Sequence, residues 1–227
     1  MRPGRLACAA AFAALPLLAH AGAAEELRGK IQLLGKGGKP AQGSDLRHAV
    51  VSFQPAAAHR PAPAAAPLEM VTRKKQFEPR VLAITSGSRV RFPNLDPILH
   101  NVFSVTSDHA FDLGLYQKGP GKEKRFDQPG VVRVFCNVHH AMVGYVVVLD
   151  TPFRVHPDGL GNFTLTGLPA GAGKVTVWHE QIEPWTLDLT LPHPGMIAAR
   201  LEVTRPRLPA HMNKLGKPYS SRDRYRN

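Results

Sequence analysis

Proline and glycine recur so often in this chain that a long helix has almost nowhere to form: 21 prolines and 20 glycines interrupt 227 residues. Proline inside a helix removes an amide donor and clashes with the preceding turn, and glycine there costs about 1 kcal/mol. What lies between the interruptions is short, apolar and often alternating. Runs at 31–34 and 49–53 are separated by Gly35-Lys36-Gly37-Gly38-Lys39-Pro40, and further runs stand at 81–84, 90–92, 101–105, 131–136 and 143–149. A last group stands at 163–165, 174–178, 186–191 and 197–203, with Pro157-Asp158-Gly159 and Leu168-Pro169-Ala170-Gly171 as turns. Strands at roughly ten-residue spacing with turn residues between them predict an all-β sandwich architecture. In 131–136 the alternation puts Val132, Val134 and Cys136 on one face. Residues 106–129 are mixed and rich in Gly and Lys, and carry no strand pattern.

The N-terminus reads as an address. Arg2 and Arg5 precede an apolar stretch at 6–18, and Ala19-His20-Ala21 supplies small residues at its end. That is the layout of a secretory signal peptide cut after Ala21 or after Ala24, so an exported, periplasmic protein is expected. No stretch reaches the ~18 apolar residues of a membrane span, so no transmembrane segment is expected after cleavage. Cys8 lies at the start of the apolar run, not after it, which argues against a lipid anchor. Two cysteines exclude a disulfide scaffold and a zinc site of three or four thiolates. Cleavage leaves Cys136 alone. A lone thiol in an oxidising compartment is either buried and inert or held by something that protects it.

One stretch offers that protection. Cys136-Asn137-Val138-His139-His140-Ala141-Met142 places a thiolate, an imidazole and a thioether within seven residues, just past a strand. Soft sulfur with imidazole suits copper, and two His with one Cys and a weak axial Met is the electron-transfer arrangement. The second imidazole must come from elsewhere. His100, on the loop between the strands at 90–92 and 101–105, is the candidate, because a loop there can meet the Cys/Met loop at one end of a sandwich.

The order His100 … Cys136-x-x-His139-x-x-Met142 resembles the mononuclear blue-copper cupredoxins, such as plastocyanin, amicyanin and pseudoazurin, with the short loop of amicyanin. Phe92-x-Asn94-x-Asp96-x-x-x-His100-Asn101-Val102 is similar to the segment that carries their first ligand, and the likeness spans 70–150. The whole chain also resembles exported bacterial proteins of the methylamine-utilisation type, in which a carboxypeptidase-regulatory-like sandwich accompanies the cupredoxin. Phe163-Thr164-Leu165-Thr166-Gly167-Leu168-Pro169-Ala170-Gly171 and Val177-Trp178-His179 carry that second likeness, with the runs beginning at Gly29 and at Ala49.

The resemblance implies an all-β fold: a cupredoxin Greek-key β-sandwich at 68–150 and a second small Ig/transthyretin-like β-sandwich. That second sandwich is expected to be discontinuous, at 25–55 plus 151–203, with a signal peptide at 1–21, an Ala/Pro linker at 56–67 and a basic tail at 204–227. It implies one copper ion with His100, Cys136 and His139 as equatorial ligands and Met142 as the axial one. Asn101 would tie the two ligand loops by hydrogen bonds, supported by Asn94, and Phe135 and Val134 are expected to pack around Cys136. His140 departs from the family pattern, where proline is common.

The implied function is one-electron transfer by a type 1 copper protein that is not an enzyme. Its partner would be a redox protein, a cytochrome or an oxidoreductase, with an acidic face as one option. Two alternatives stay open at this point. One is a non-redox copper-binding or copper-delivery protein using the same ligands, with His140 or Met212 as accessories. The other is a structural sandwich with an incidental Cys/His cluster. Copper reductases and oxidases need further His clusters, whereas Cys136 is flanked by Phe135 and Asn137. His109, His156, His179 and His193 lack partners at ligand spacing and read as loop or edge residues. The chain carries a formal charge of +12, and the tail holds seven basic side chains against one acid. That tail is either solvated or docks on an acidic surface, and export disfavours nucleic acid as its partner.

Overall fold

Strand alternation decides which sides are buried, and the computed structural model of the chain follows it through residues 24–41, 44–57, 61–206 and 213–218. The expected signal peptide, Cys8, Met212 and most of the basic tail lie outside the described residues. The described residues form strands and two short 3-10 turns, with no α-helix among them. None of their helices is long and apolar enough to cross a membrane. In chain order the strands are β1 (Glu25–Leu34), β2 (Val50–Pro55), β3 (Leu68–Glu69), β4 (Val71–Arg73), β5 (Gln76–Glu78) and β6 (Val81–Thr85). Then come β7 (Ser88–Asn94), β8 (His100–Ser104), β9 (Phe111–Tyr116), β10 (Gly119–Phe126), β11 (Gly130–Phe135) and β12 (Val143–Leu149). The chain closes with β13 (Arg154–Val155), β14 (Asn162–Leu168), β15 (Gly171–Trp178), β16 (Trp185–Leu191) and β17 (Ile197–Glu202).

Four sheets pair into two sandwiches. Sheets β14-β1-β17 and β13-β2-β15-β16 enclose one core, to which β1 contributes Leu27, Ile31 and Leu33 at every other or every fourth position. Phe53, Val175, Val177 and Leu201 fill it from the other strands. Sheets β10-β7-β4-β5 and β6-β12-β11-β8-β9 enclose the second core, around Phe92, Phe126, Val132, Val134 and Val146. The chain leaves the first sandwich after β2, builds the whole of the second, and returns with β13.

The two sandwiches stack sheet against sheet, and β12 shows why its sequence is apolar throughout. Val146 and Val148 point into the second core, whereas Val143, Tyr145 and Val147 point out to meet Val50 and Trp178 of the first sandwich. A strand buried on both faces needs a continuous apolar run, not alternation. The Tyr145 and Trp178 rings lie 5.3 Å apart. Beside them Arg80 clasps Glu180 with hydrogen bonds of 2.8, 3.0 and 2.6 Å, and donates another to the Val143 carbonyl at 3.2 Å.

Residues 106–129 hold two strands that the sequence pattern does not announce. β9 and β10 lie at sheet edges, where one face is wet and charged residues are favoured, so Lys and Glu replace the apolar alternation. A bulge in the β10–β7 pairing needs Gly121, whose φ is +74 and whose Cβ would lie 1.8 Å from the Phe92 carbonyl oxygen. Glycine signals a turn in sequence; here it permits close approach within a strand.

Burial pushes the Glu180 carboxyl up, but hydrogen bonds from His48 and Arg80 and the Arg80 charge outweigh it and hold the group at about 2, against an ordinary 4.5. A carboxyl held below its unfolded value stabilises the fold above about pH 4.5, and that contribution fades as the pH falls toward 2. The thermal midpoint should therefore drop through this window. Glu180→Gln leaves Arg80 without its anion, should cost about 3 kcal/mol near neutrality, and should give a shallower acid limb. Equal slopes for the two proteins would remove Glu180 from the explanation.

Candidate metal centre

Topology brings the sequence-distant residues together. β8 lies beside antiparallel β11, with Phe103 opposite Phe135, so the start of β8 adjoins the end of β11. His100 opens β8, and Cys136 follows the last residue of β11. The loop from Cys136 to Met142 closes on itself: Cys136 donates its amide to the Met142 carbonyl at 3.3 Å, and Met142 donates to the His139 carbonyl at 3.0 Å. His139 is thereby folded back over the thiol.

The result is a convergence of soft and borderline donors. His100 Nδ1 and His139 Nδ1 each lie 3.6 Å from Cys136 Sγ. Those three ligand atoms lie within 4.8 Å of one another. His100 and Cys136 are fully buried, Met142 is 1 % exposed and His139 8 %. Met142 shares the apolar cluster of Cys136 with Val134, Phe92 and Met70. Phe135 does not belong to this environment, contrary to the sequence reading. It sits on the opposite face of β11 and packs against Phe103 at 5.8 Å, because side chains alternate along a strand.

Asp96 fixes the first imidazole, and sequence reasoning gave it no role. Its Oδ2 lies 2.9 Å from His100 Nε2. The same carboxylate accepts the amides of Lys74 at 2.7 Å and Lys75 at 2.9 Å. Those two lysines form the β4–β5 hairpin tip with φ of 50 and 56, a left-handed conformation that glycine or asparagine adopts more readily. Burial pushes the Asp96 carboxyl up, but the Lys75, Lys74 and His100 hydrogen bonds win and keep it below its ordinary value. An ionised carboxylate only accepts, so His100 gives Asp96 its Nε2–H and turns an Nδ1 lone pair toward the sulfur. The spacing of Asp96, four residues before His100, was the available signal. Its orientation depends on a hairpin twenty residues upstream, which spacing does not reveal.

Both asparagines brace the site. Asn94 Nδ2 donates to the Ile98 carbonyl at 2.9 Å and its Oδ1 accepts the Asp96 amide at 3.0 Å, which shapes the loop before His100. Asn101 Oδ1 accepts the Asn137 amide at 3.3 Å, and its Nδ2 donates to Asp112 at 2.6 Å. Burial lowers the His100 pKa and lowers that of His139 to about 4, so His139 is neutral at neutral pH. Burial pushes the Cys136 thiol up, against backbone hydrogen bonds from Asn101, Val138 and His139 that pull it down. A metal would have to displace the thiol proton, which is what a coordinating cation does.

A second grouping, His48, His179 and Glu180, also brings its ligand atoms within 4.8 Å. Its donors are engaged elsewhere. Gln181 donates its amide to His179 Nδ1 at 3.2 Å, His179 Nε2 lies 3.3 Å from the Asp45 carbonyl, and both Glu180 oxygens face Arg80. It is the clasp between the sandwiches, and it places His179 beside partners that linear spacing did not suggest. His156 Nδ1 lies against the Ala49 carbonyl at 2.9 Å, and His193 Nδ1 against that of Gly195 at 2.9 Å. His140 is half-buried.

No family model and no curated protein matches the sequence. Among solved structures, a purple cupredoxin from Nitrosopumilus maritimus is similar at 23 % identity, over 36 % of this chain and 99 % of that one, with a TM-score of 0.34. A reduced amicyanin variant is similar at 24 % identity over 45 % of this chain and 99 % of its own, with a TM-score of 0.36. A copper-containing nitrite reductase from Thermus scotoductus SA-01 is similar at 24 % identity over 43 % of this chain and 26 % of its own, with a TM-score of 0.37. These likenesses are faint, and the metal centre stands on its own side chains.

Removing the carboxylate that orients His100 should loosen the centre without dismantling the sandwich. Asp96→Ala is expected to weaken copper binding by about 10- to 100-fold, the usual cost of losing an outer-shell partner. Competition titration against a copper chelator reads this directly, and an unchanged affinity would show that Asp96 serves only the hairpin.

Proposed function

We propose that this chain is an exported type 1 copper protein that carries single electrons and catalyses no reaction of its own. The observation that carries the reading is the pair of imidazole Nδ1 atoms, each 3.6 Å from one buried thiol, with Met142 in the same apolar pocket. His100, Cys136, His139 and Met142 would hold the ion, and the donor set fits copper: one thiolate, two neutral imidazoles and a thioether. Bound there, copper supplies a one-electron couple between Cu(I) and Cu(II).

The chain's own part is to keep the donors still and dry. Asp96 holds the ring of His100, the closed loop holds His139 over the sulfur, and Asn101 joins the two segments. Fixed donors need little rearrangement when charge changes, which keeps the barrier to transfer low. Burial also favours the carrier over a delivery protein. Ligands that hand metal to another protein must reach it, whereas all four here are 8 % exposed or less.

A partner would meet the loop before His100. Leu95, Ile98 and Leu99 are 38, 39 and 48 % exposed there, an apolar patch beside the site. Lys74 and Lys75 stand on the adjoining hairpin, held against Asp96, and would favour a redox partner with an acidic rim. Export rests on the N-terminal sequence, and N-terminal sequencing of protein recovered from the periplasm should begin at Gly22 or Glu25.

Copper-loaded protein should show an intense visible thiolate-to-copper band, a narrow copper hyperfine pattern and reversible voltammetry. Cys136→Ala should lose the band entirely. A variant that keeps it would overturn the ligand assignment, and a tetragonal resonance signal in the wild type would favour simple storage.

A further inference from the structure

Beyond Pro206 the basic tail is described at 213–218, and there it lies against the metal end. Asn213 bends the segment into a tight turn, its Oδ1 accepting the amides of Leu215 at 2.9 Å and Lys217 at 3.1 Å. The turn sets Lys214 against Asn137 and Asp112. Lys214 donates its backbone amide to Asn137 Oδ1 at 3.0 Å and its ammonium to Asp112 Oδ2 at 2.7 Å.

Those two acceptors are already joined through the site. Asn137 donates its amide to Asn101 Oδ1 at 3.3 Å, and Asn101 donates Nδ2 to Asp112 Oδ1 at 2.6 Å. Four residues therefore close a ring, from Lys214 to Asn137, Asn101, Asp112 and back to Lys214. Two of its members adjoin the proposed ligands in the chain: Asn101 follows His100, and Asn137 follows Cys136. Each hydrogen bond in such a ring polarises and orients the next, so the loss of one member is felt by the others.

We infer that residues 213–218 form an intramolecular strap across the metal end and that Lys214 is a positioning residue. It closes the ring that keeps the His100 and Cys136 segments at a fixed separation before any metal arrives. The ring itself needs no metal. The benefit to copper rests on the function proposed above. Without the ammonium, Asp112 Oδ2 turns to water, and the Asn101–Asp112 contact is held only through Gly114, whose carbonyl accepts from Asn101 Nδ2 at 3.0 Å and whose amide donates to Asp112 Oδ1 at 2.9 Å. The start of β8 and the loop after β11 are then less firmly tied to each other.

The test is amide hydrogen exchange on the metal-free full chain, comparing wild type, Lys214→Ala and Lys214→Arg. The Lys214–Asp112 pair is partly exposed, so exchange at the Asn137 amide should rise about threefold in Lys214→Ala and return toward wild type in Lys214→Arg. Amides of β12 should not change. In the copper-loaded proteins, chelator-driven copper release should accelerate by a similar factor in Lys214→Ala and be rescued by Lys214→Arg. Unchanged exchange at Asn137, both in Lys214→Ala and in a chain ending at Pro206, would overturn the strap. Faster exchange with unchanged copper release would overturn the positioning role. A wild type that takes up no copper would defeat the functional reading alone, because the exchange arm still reports the ring.

Discussion

Two imidazoles and a thiol converge in a space that water scarcely reaches, and most of this fold can be read as the means of holding them there. Burying three polar groups side by side is costly unless each finds a partner. The protein supplies partners on every side but one. Asp96 takes the far nitrogen of His100, Asn101 takes the amide beside Cys136, and the loop to Met142 closes through its own backbone. What remains facing inward is a set of lone pairs and a sulfur, directed at one point.

The first sandwich is more than a passenger. Glu180, from the first sandwich, holds Arg80 of the second, and Arg80 in turn holds the carbonyl of Val143, the residue after Met142. A buried ion pair is therefore one hydrogen bond away from the metal loop. Between the two sandwiches lies a cleft of about 740 Å3, lined among others by His48, Lys74, Arg80 and Met142. The stacking of Tyr145 on Trp178 and the doubly buried β12 make this junction a packed interface. Motion of one sandwich against the other would be felt at the loop that carries three of the four proposed ligands.

How much of this the sequence disclosed depends on whether the determining contacts are local. The Cys136-x-x-His139-x-x-Met142 loop is short, so its spacing alone places three donors together. His100 could be named because a loop between two strands must lie at one end of a sandwich. The alternation in 131–136 put Cys136 with Val134 on the core side, and the same period should have sent Phe135 to the other face. Asp96 was visible only as a residue of a motif, since its role depends on two lysine amides presented by a separate hairpin. β9 and β10 were hidden because edge strands owe their pairing to neighbours and keep a polar face. Lys214 lay beyond any local rule, its partners being 77 and 102 residues away in the chain and defined only by the folded surface.

The most direct measurement is X-ray absorption at the copper edge on the loaded full-length protein. One sulfur at short distance and two imidazoles in the inner coordination shell are the expected result, with Cys136→Ala losing the short sulfur. A shell of nitrogen and oxygen without sulfur would contradict the convergence on Cys136 and, with it, the carrier function.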